Sequence, residues 1–111
     1  MEAGSIIITD GDTIRLGAER IRVVNIDAPE LTGRCDSERL LALAAKDRLA
    51  LILDARQPEI ARTGKDRFGR TLAYVRVSGA DVGEMLIFAH LAVPWGGRQH
   101  DWCADNRPKT K

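Results

Sequence analysis

The chain has 111 residues and a formal net charge of +1, and 44% of its residues are hydrophobic and 30% charged. This length allows one domain with one hydrophobic core, and the apolar content excludes a disordered chain. The balanced charge excludes a general polycation, so any contact with nucleic acid must come from a local cluster of Arg and Lys. We therefore expect a single domain over residues 1–111, with its core at about 5–96 and an irregular tail at 97–111.

Strands are predicted first in chain order. Residues 5–16 (SIIITDGDTIRL) are rich in β-branched side chains and predict one strand, bent or bulged at Gly11. A tight turn then returns the chain along 20–26, which completes a strand pair. A second hairpin is predicted over 58–79, with its turn at 63–69.

Two helices are predicted. The first begins at Asp36 or Ser37 as the cap and ends at about Leu53, and the second opens at Asp81 with Glu84 completing a capping box. The apolar residues expected to face the core are Leu40, Leu41, Leu43, Ala44, Leu51 and Ile52 in the first helix and Met85, Leu86, Phe88, Ala89 and Leu91 in the second. This order indicates an α+β fold, mainly β, in which helices flank a small curled sheet.

The location of the protein is open from the sequence. No apolar run is long enough to span a membrane, and no export signal is seen at the amino end. Cys35 and Cys103 allow one disulfide, which is compatible with an oxidising compartment, and two unpaired thiols are the alternative. We lean toward an exported or periplasmic protein whose signal is absent from this chain, with a cytoplasmic location left open.

Four clusters carry the side chains suited to chemistry: DGDT at 10–13, Arg22, DAPE at 27–30 and DRFGR at 66–70. Carboxylates are hard oxygen ligands that suit Ca²⁺ or Mg²⁺, and Asp12 and Asp27 lie on paired strands that can bring them together. Arg22 and Arg70 carry permanently charged forks suited to a phosphate. With Glu30 left to act on a water, these residues predict phosphodiester hydrolysis.

The motifs DGDTI, R-x4-DAPE and DRFGRTLAYV, in this order, resemble the thermonuclease family, also called the staphylococcal nuclease-like family, over roughly residues 6–95. The resemblance implies an OB-fold, which is a five-stranded Greek-key barrel, here with two packed helices. It also implies a Ca²⁺-dependent nuclease that acts on DNA and RNA with little sequence preference. We expect a monomer with no obligate protein partner and no membrane contact.

The resemblance also implies roles for individual residues. Asp12, Asp27 and the backbone carbonyl of Ala28 would hold the Ca²⁺. Glu30 would be the general base or the group that orients the attacking water, a choice that the sequence leaves open.

Two arginines and a further aspartate complete the implied site. Arg22 and Arg70 would neutralise charge on the phosphorus and help the leaving oxygen. Asp10 would brace the metal site.

The chain departs from the family pattern at two positions. Ala28 stands where members often have Thr, but a main-chain ligand survives this change. Phe68 stands where Tyr is more frequent, so a hydrogen bond from the ring is lost while stacking survives. A disulfide between Cys35 and Cys103 could tie the tail to the loop after the active site, in place of the further carboxy-terminal helix of longer members.

Other interpretations of these residues are simpler. Each motif alone is more typical of a turn, a helix start or a solvated hairpin. Trp95 and Trp102 are candidates to stack on a base, although we expect at least one to pack in the core or the tail. A zinc site of Cys35, His100 and Cys103 is disfavoured because the spacing lacks a second clear pair.

Two rival functions are carried forward. The first is a non-catalytic OB-fold module that binds nucleic acid. The second is a structural Ca²⁺ site on a protein-interaction domain.

Overall fold

The computed structural model describes residues 6–54 and 56–104. The strands in this part of the chain are β1 Ile6–Asp10, β2 Thr13–Leu16, β3 Glu19–Val23, β4 Ile26–Asp27, β5 Glu59–Lys65, β6 Thr71–Val77, β7 Ala80–Asp81 and β8 Val93–Pro94. The helices are α1 Asp36–Leu53 and α2 Val82–Phe88. The α+β class, mainly β, is therefore confirmed.

Five strands form the main sheet in the order β1-β2-β3-β6-β5, and β7 extends it by pairing with β6. The sheet is mixed because β3 and β6 run parallel while the other neighbours are antiparallel. β4 and β8 form a separate antiparallel pair. Five strands with two packed helices agree with the expected barrel.

The DGDT segment differs from the single bent strand that the sequence predicted. β1 and β2 are separate antiparallel strands joined by a turn at Gly11 and Asp12, and the bulge lies earlier, between Ile8 and Asp10. A Cβ added to Gly11 would lie 2.7 Å from the Cβ of Ala45, because α1 passes directly against the turn. The glycine therefore permits a close approach that any side chain would block.

The core lies where both helices pack against the sheet. Its most buried members are Ile14, Ile21, Val23, Ile26, Ala45, Leu49, Ala73, Val75, Val82 and Leu86. The predicted alternation along β6 is confirmed, since Ala73, Val75 and Val77 are buried while Tyr74 and Arg76 are exposed. The predicted turn between β5 and β6 is present, but it lies at 66–70 and not at 63–69, because residues 63–65 extend β5.

Helix α1 has the predicted length but a different buried face. It begins at Asp36 and ends at Leu53. The prediction of Asp36 or Ser37 as the cap is wrong, because the helix starts one residue earlier, with Cys35 as the N-cap. The expected core residues Leu41 and Ile52 do face the core. The prediction is wrong for Leu40, Leu43, Ala44 and Leu51, which are exposed. The buried side of the helix lies on another face and carries Glu38, Ala42, Ala45, Leu49, Ile52 and Leu53. Ala45 lies on this face where the helix passes against the β1–β2 turn.

Helix α2 begins as predicted, with the Asp81 carboxylate accepting the backbone N–H of Glu84 at 2.9 Å. Leu86 and Leu91 are buried, and Ala89 packs partly against the core. The prediction is wrong for Met85 and Phe88, the latter 88% exposed, because Val82, Gly83 and Leu86 fill the buried side of this seven-residue helix.

The tail is irregular, as expected, but it is packed. Residues 97–104 contain no strand or α-helix, yet Trp102 is 5% exposed and Cys103 forms a disulfide with Cys35. The alternative of two unpaired thiols is therefore wrong. The remainder of the expected tail, 105–111, lies outside the described residues. Within the described ranges, neither helix has the length and apolar character needed to cross a membrane.

Candidate functional site

A cavity of about 640 Å³ opens where the β1–β2 turn, the segment after β4, the β5–β6 turn and the tail meet. Its lining includes Asp10, Asp12, Arg22, Asp27, Glu30, Asp66, Arg67, Phe68, Arg70, Trp95, Arg98 and Gln99. The structure thus brings together all the predicted site side chains. Ala28, predicted to act through its backbone, lines an adjoining cavity of about 460 Å³.

The two aspartates expected to bind metal are buried, with Asp12 7% and Asp27 3% exposed. Asp12 lies in the β1–β2 turn and accepts the backbone N–H of Ala28 at 3.2 Å and the hydroxyl of Thr13 at 3.0 Å. Asp27 ends β4 and accepts the backbone N–H of His100 at 2.8 Å. Each carboxylate is therefore oriented by an amide from another part of the chain.

Arg22 is fixed between these carboxylates. Its Nη1 donates to the backbone carbonyl that ends β3 at 2.8 Å and to the one that begins β4 at 2.9 Å. Its Nη2 lies 3.9 Å from Asp12 Oδ2 and 4.0 Å from Asp27 Oδ1. The guanidinium also lies 5.0 Å from the ring centre of Trp95. Because Nη1 donates hydrogen bonds to the two backbone carbonyl oxygens, Nη2 is the guanidinium nitrogen that faces the carboxylates.

Arg70 is positioned by the first residue of its own motif. The Asp66 carboxylate accepts the backbone N–H groups of Phe68 and Arg70 at 2.9 Å each and the Arg70 Nε at 2.8 Å. Burial alone would raise the pKa of Asp66, but these hydrogen bonds outweigh it and lower the pKa. The turn therefore holds Asp66 next to Arg70, which lines the cavity with its Nε bonded to this carboxylate.

Glu30 is held through its backbone by Glu38, a buried residue in the first turn of α1. Glu38 accepts the backbone N–H of Glu30 at 3.0 Å and that of Arg34 at 3.2 Å. A Cβ on Gly33 would lie 2.4 Å from the Glu38 side chain, so the loop closes tightly around this carboxylate. The DAPE segment is thus attached to the amino end of α1.

The side chain of Glu30 has its own partner, since Oε2 accepts the side-chain N–H of Gln99 at 3.0 Å. Burial raises the pKa of Glu30, and repulsion from Asp12, Asp10, Asp27 and Glu38 raises it further.

The pKa values of two other carboxyls in the cavity are also raised. Burial raises the pKa of Asp10, and repulsion from Asp12 adds to it. Burial also raises the pKa of Asp27, partly offset by the hydrogen bond from His100. A cation among these groups would relieve the repulsion, and an all-oxygen donor set fits Ca²⁺. Asp12, Asp27 and the Ala28 carbonyl could hold such an ion.

The two tryptophans have different environments. Trp95 is partly exposed and lines the cavity beside Arg22, so its stacking on a base stays a prediction. Trp102 is buried and meets the His100 ring edge-on, with ring centres 4.6 Å apart, which confirms tail packing for one of the pair. The sulfurs of Cys35 and Cys103 lie near Glu38 but are joined in the disulfide, and so offer no thiolate to zinc.

Sequence reasoning missed the roles of three residues that shape the site. Asp66 had a local signal, since an aspartate that opens a turn often accepts a backbone N–H two residues on. Glu38 had a weaker one, as a glutamate at the third helical position, which often reaches back to the preceding backbone. Gln99 had none, because its partner lies 69 residues away in the chain.

Comparison with known proteins shows the family of the chain. A family model described as "Staphylococcal nuclease homologue" matches residues 20–105. The chain is also 34% identical over 96 residues to the succinoglycan biosynthesis protein ExoI of Rhizobium meliloti (strain 1021), a match that covers 81% of this chain and 50% of that protein. The chain therefore spans about half the length of this curated relative. It belongs to the family of staphylococcal nuclease homologues, and its mixed five-stranded sheet with two helices is the OB-fold of that family.

Proposed function

We propose that this domain hydrolyses phosphodiester bonds in DNA and RNA, with Ca²⁺ and with little sequence preference. The observation that carries the proposal is the cavity in which Asp12, Asp27 and Glu30 face Arg22 and Arg70. Hard oxygen ligands for a divalent ion and guanidinium groups for a phosphate are the two parts that this chemistry requires. Membership of the nuclease family supports the same reaction class.

Asp12, Asp27 and the backbone carbonyl of Ala28 would hold the calcium ion, and Asp10 would brace them. Calcium bound there would supply positive charge next to the phosphate.

The residues of the chain would share the remaining work. Glu30 would orient the attacking water or accept its proton as the new bond to phosphorus forms. Arg22 and Arg70 would neutralise the charge that builds on the phosphate and would stabilise the leaving oxygen. Because Arg22 and Arg70 are both held by hydrogen bonds within the fold, little reorganisation is needed when charge develops.

Cleavage of single-stranded DNA and of RNA, with Ca²⁺ and then with EDTA, tests the proposal. We expect fragments of many lengths with calcium and intact substrate with EDTA. The matched control is Glu30→Gln, which keeps the shape of the side chain and should bind the substrate without cleaving it. Intact substrate in both conditions, with binding retained by the unaltered protein, would favour the non-catalytic module instead.

The structural-calcium rival makes a different prediction. If the ion only stabilised a protein-interaction domain, replacing Arg22 and Arg70 with alanine would leave function unchanged. Cleavage that depends on both arginines would therefore support the nuclease and contradict the structural calcium site.

The disulfide supports a proposal on location, namely an exported or periplasmic protein, because such bonds persist in oxidising compartments. Alkylation of thiols at the moment of lysis, followed by mass measurement, tests it. Two alkylated cysteines in the native protein would favour the cytoplasm.

A further inference from the structure

Residues 98–104, called the strap below, run from the cavity to the amino end of α1. Arg98 and Gln99 line the cavity, and Cys103 is bonded to Cys35, the N-cap residue of α1. In the described part of the chain, the strap belongs to no strand or α-helix. Within the described residues the strap is therefore not part of a β-ladder, and the disulfide links it covalently to the amino end of α1.

The strap contacts two of the carboxylates on which the proposed reaction depends. The Gln99 side chain donates to Glu30 Oε2 at 3.0 Å, and the His100 backbone N–H donates to Asp27 Oδ2 at 2.8 Å. These bonds are made to carboxylate acceptors, and hydrogen bonds to an ionised acceptor are stronger than bonds between neutral groups. They bridge 69 and 73 residues of sequence, so the strap must be in place for them to form.

The disulfide is the covalent anchor of the strap. The ion pair between Arg34 and Asp101, at 3.0 Å, is largely exposed, and exposed pairs contribute little to stability. Asp101 also accepts the backbone N–H groups of Cys103 and Ala104, which stiffens the strap locally. The buried Trp102 adds packing next to the disulfide.

We propose that the Cys35–Cys103 disulfide holds the strap on the site, where Gln99 positions Glu30 and the His100 amide positions Asp27. The inference rests on the proposed function and adds a dependence on oxidation state. Reduction by a dithiol breaks the S–S bond, leaves one thiol on each cysteine and converts the dithiol into its cyclic disulfide. The two carboxylates then lose the donors that orient them.

The first experiment compares the oxidised and the dithiol-reduced full chain. Hydrogen exchange of residues 98–104 reports on the strap, and calcium titration calorimetry reports on Asp27. We expect faster exchange and about tenfold weaker calcium binding after reduction, since partners that orient a ligand commonly change metal affinity by ~10-fold or more. Circular dichroism at low temperature shows whether the reduced chain is folded.

The matched control is the double substitution of Cys35 and Cys103 by serine. This variant should behave like the reduced protein in both measurements and should not respond to the dithiol. A response of this variant to the dithiol would show that the reagent acts elsewhere and would overturn the inference.

The second experiment keeps the disulfide and removes one contact, with Gln99→Ala. Because Gln99 acts through Glu30 and Glu30 acts on the water, kcat should fall by about tenfold while KM and calcium affinity stay unchanged. The matched control is Gln57→Ala, an exposed glutamine outside the cavity, which should change none of these values.

The outcomes separate the strap from the proposed function. Unchanged exchange after reduction, or faster exchange with unchanged calcium affinity, overturns the inference while leaving the nuclease proposal standing. No calcium binding by the oxidised protein overturns the proposed function and the positioning of Asp27 with it. A fall in both kcat and calcium affinity on Gln99→Ala would overturn the inference that Gln99 acts by positioning the Glu30 side chain.

Discussion

Replacing Arg22 with alanine removes a guanidinium whose Nη2 lies within 4.0 Å of both Asp12 and Asp27. Loss of a main charge stabiliser in the transition state commonly costs ~2.7–4 kcal/mol, so we expect kcat to fall by about 10²–10³. The variant also loses two hydrogen bonds to backbone carbonyls, which should lower the free energy of unfolding by ~1–3 kcal/mol. Arg22→Lys keeps the positive charge but cannot bond to both carbonyls while facing both carboxylates. We therefore expect a smaller fall in kcat than for alanine.

The assay is the initial rate of cleavage of a labelled single-stranded oligonucleotide at saturating substrate and calcium, below the melting temperature of each variant. Arg70→Ala should show a loss of similar size. Arg62→Ala is the matched control, because the Arg62 guanidinium pairs with Glu19 at 2.7 Å and is not part of the cavity lining. Losses below about tenfold at both Arg22 and Arg70 would refute the assignment of these residues to the transition state.

Three further predictions concern stability. Gly11→Ala should destabilise the fold by ~1–3 kcal/mol in urea unfolding, because the new methyl group meets α1, whereas Gly96→Ala projects into open space and should change little. Hydrogen bonding from Arg62 and Thr71 lowers the pKa of Glu19 from 4.5 to about 2. The ionised Glu19 therefore adds its full contribution to the free energy of unfolding above pH 4.5, and this contribution is lost as the pH falls toward 2. Because Glu19 is partly exposed, this contribution should be only ~1 kcal/mol, and Glu19→Gln should flatten the acid limb of the unfolding curve. Calcium at about a hundredfold excess over its Kd should stabilise the protein by ~2.7 kcal/mol in thermal unfolding, and Asp27→Asn, but not Asp47→Asn on the exposed side of α1, should abolish the effect.

The parts of the site that the sequence predicted are those with local signals. Asp12, Arg22, Asp27 and Arg70 lie at strand ends and turns, where short motifs fix both position and direction. The partner of Glu30 could not be predicted in this way, because Gln99 lies 69 residues away in the chain and no local pattern links the two residues.

In the fold, too, the features of α1 that depend on local sequence were predicted, whereas those that depend on its packing partners were not. The boundaries of α1 followed from its composition, but its buried face did not. Leu40 and Leu51 are exposed because they lie on the far side of α1 from Ala45, which packs against the β1–β2 turn at Gly11. A helical periodicity gives the width of an apolar face, whereas the distance to the neighbouring element decides which residues can occupy it.

The attachment of the DAPE segment to Glu38 sets a limit on protein engineering with this domain. Grafting the acidic loop onto another barrel would transfer Asp27 and Glu30 but leave behind the carboxylate that fixes the backbone of Glu30. A transplant therefore needs the first turn of α1 as well, with Gly33 kept small so that the loop can close around it. A portable unit therefore includes at least the segment from the end of β4 into the helix, together with the Gln99 and His100 donors that contact Glu30 and Asp27.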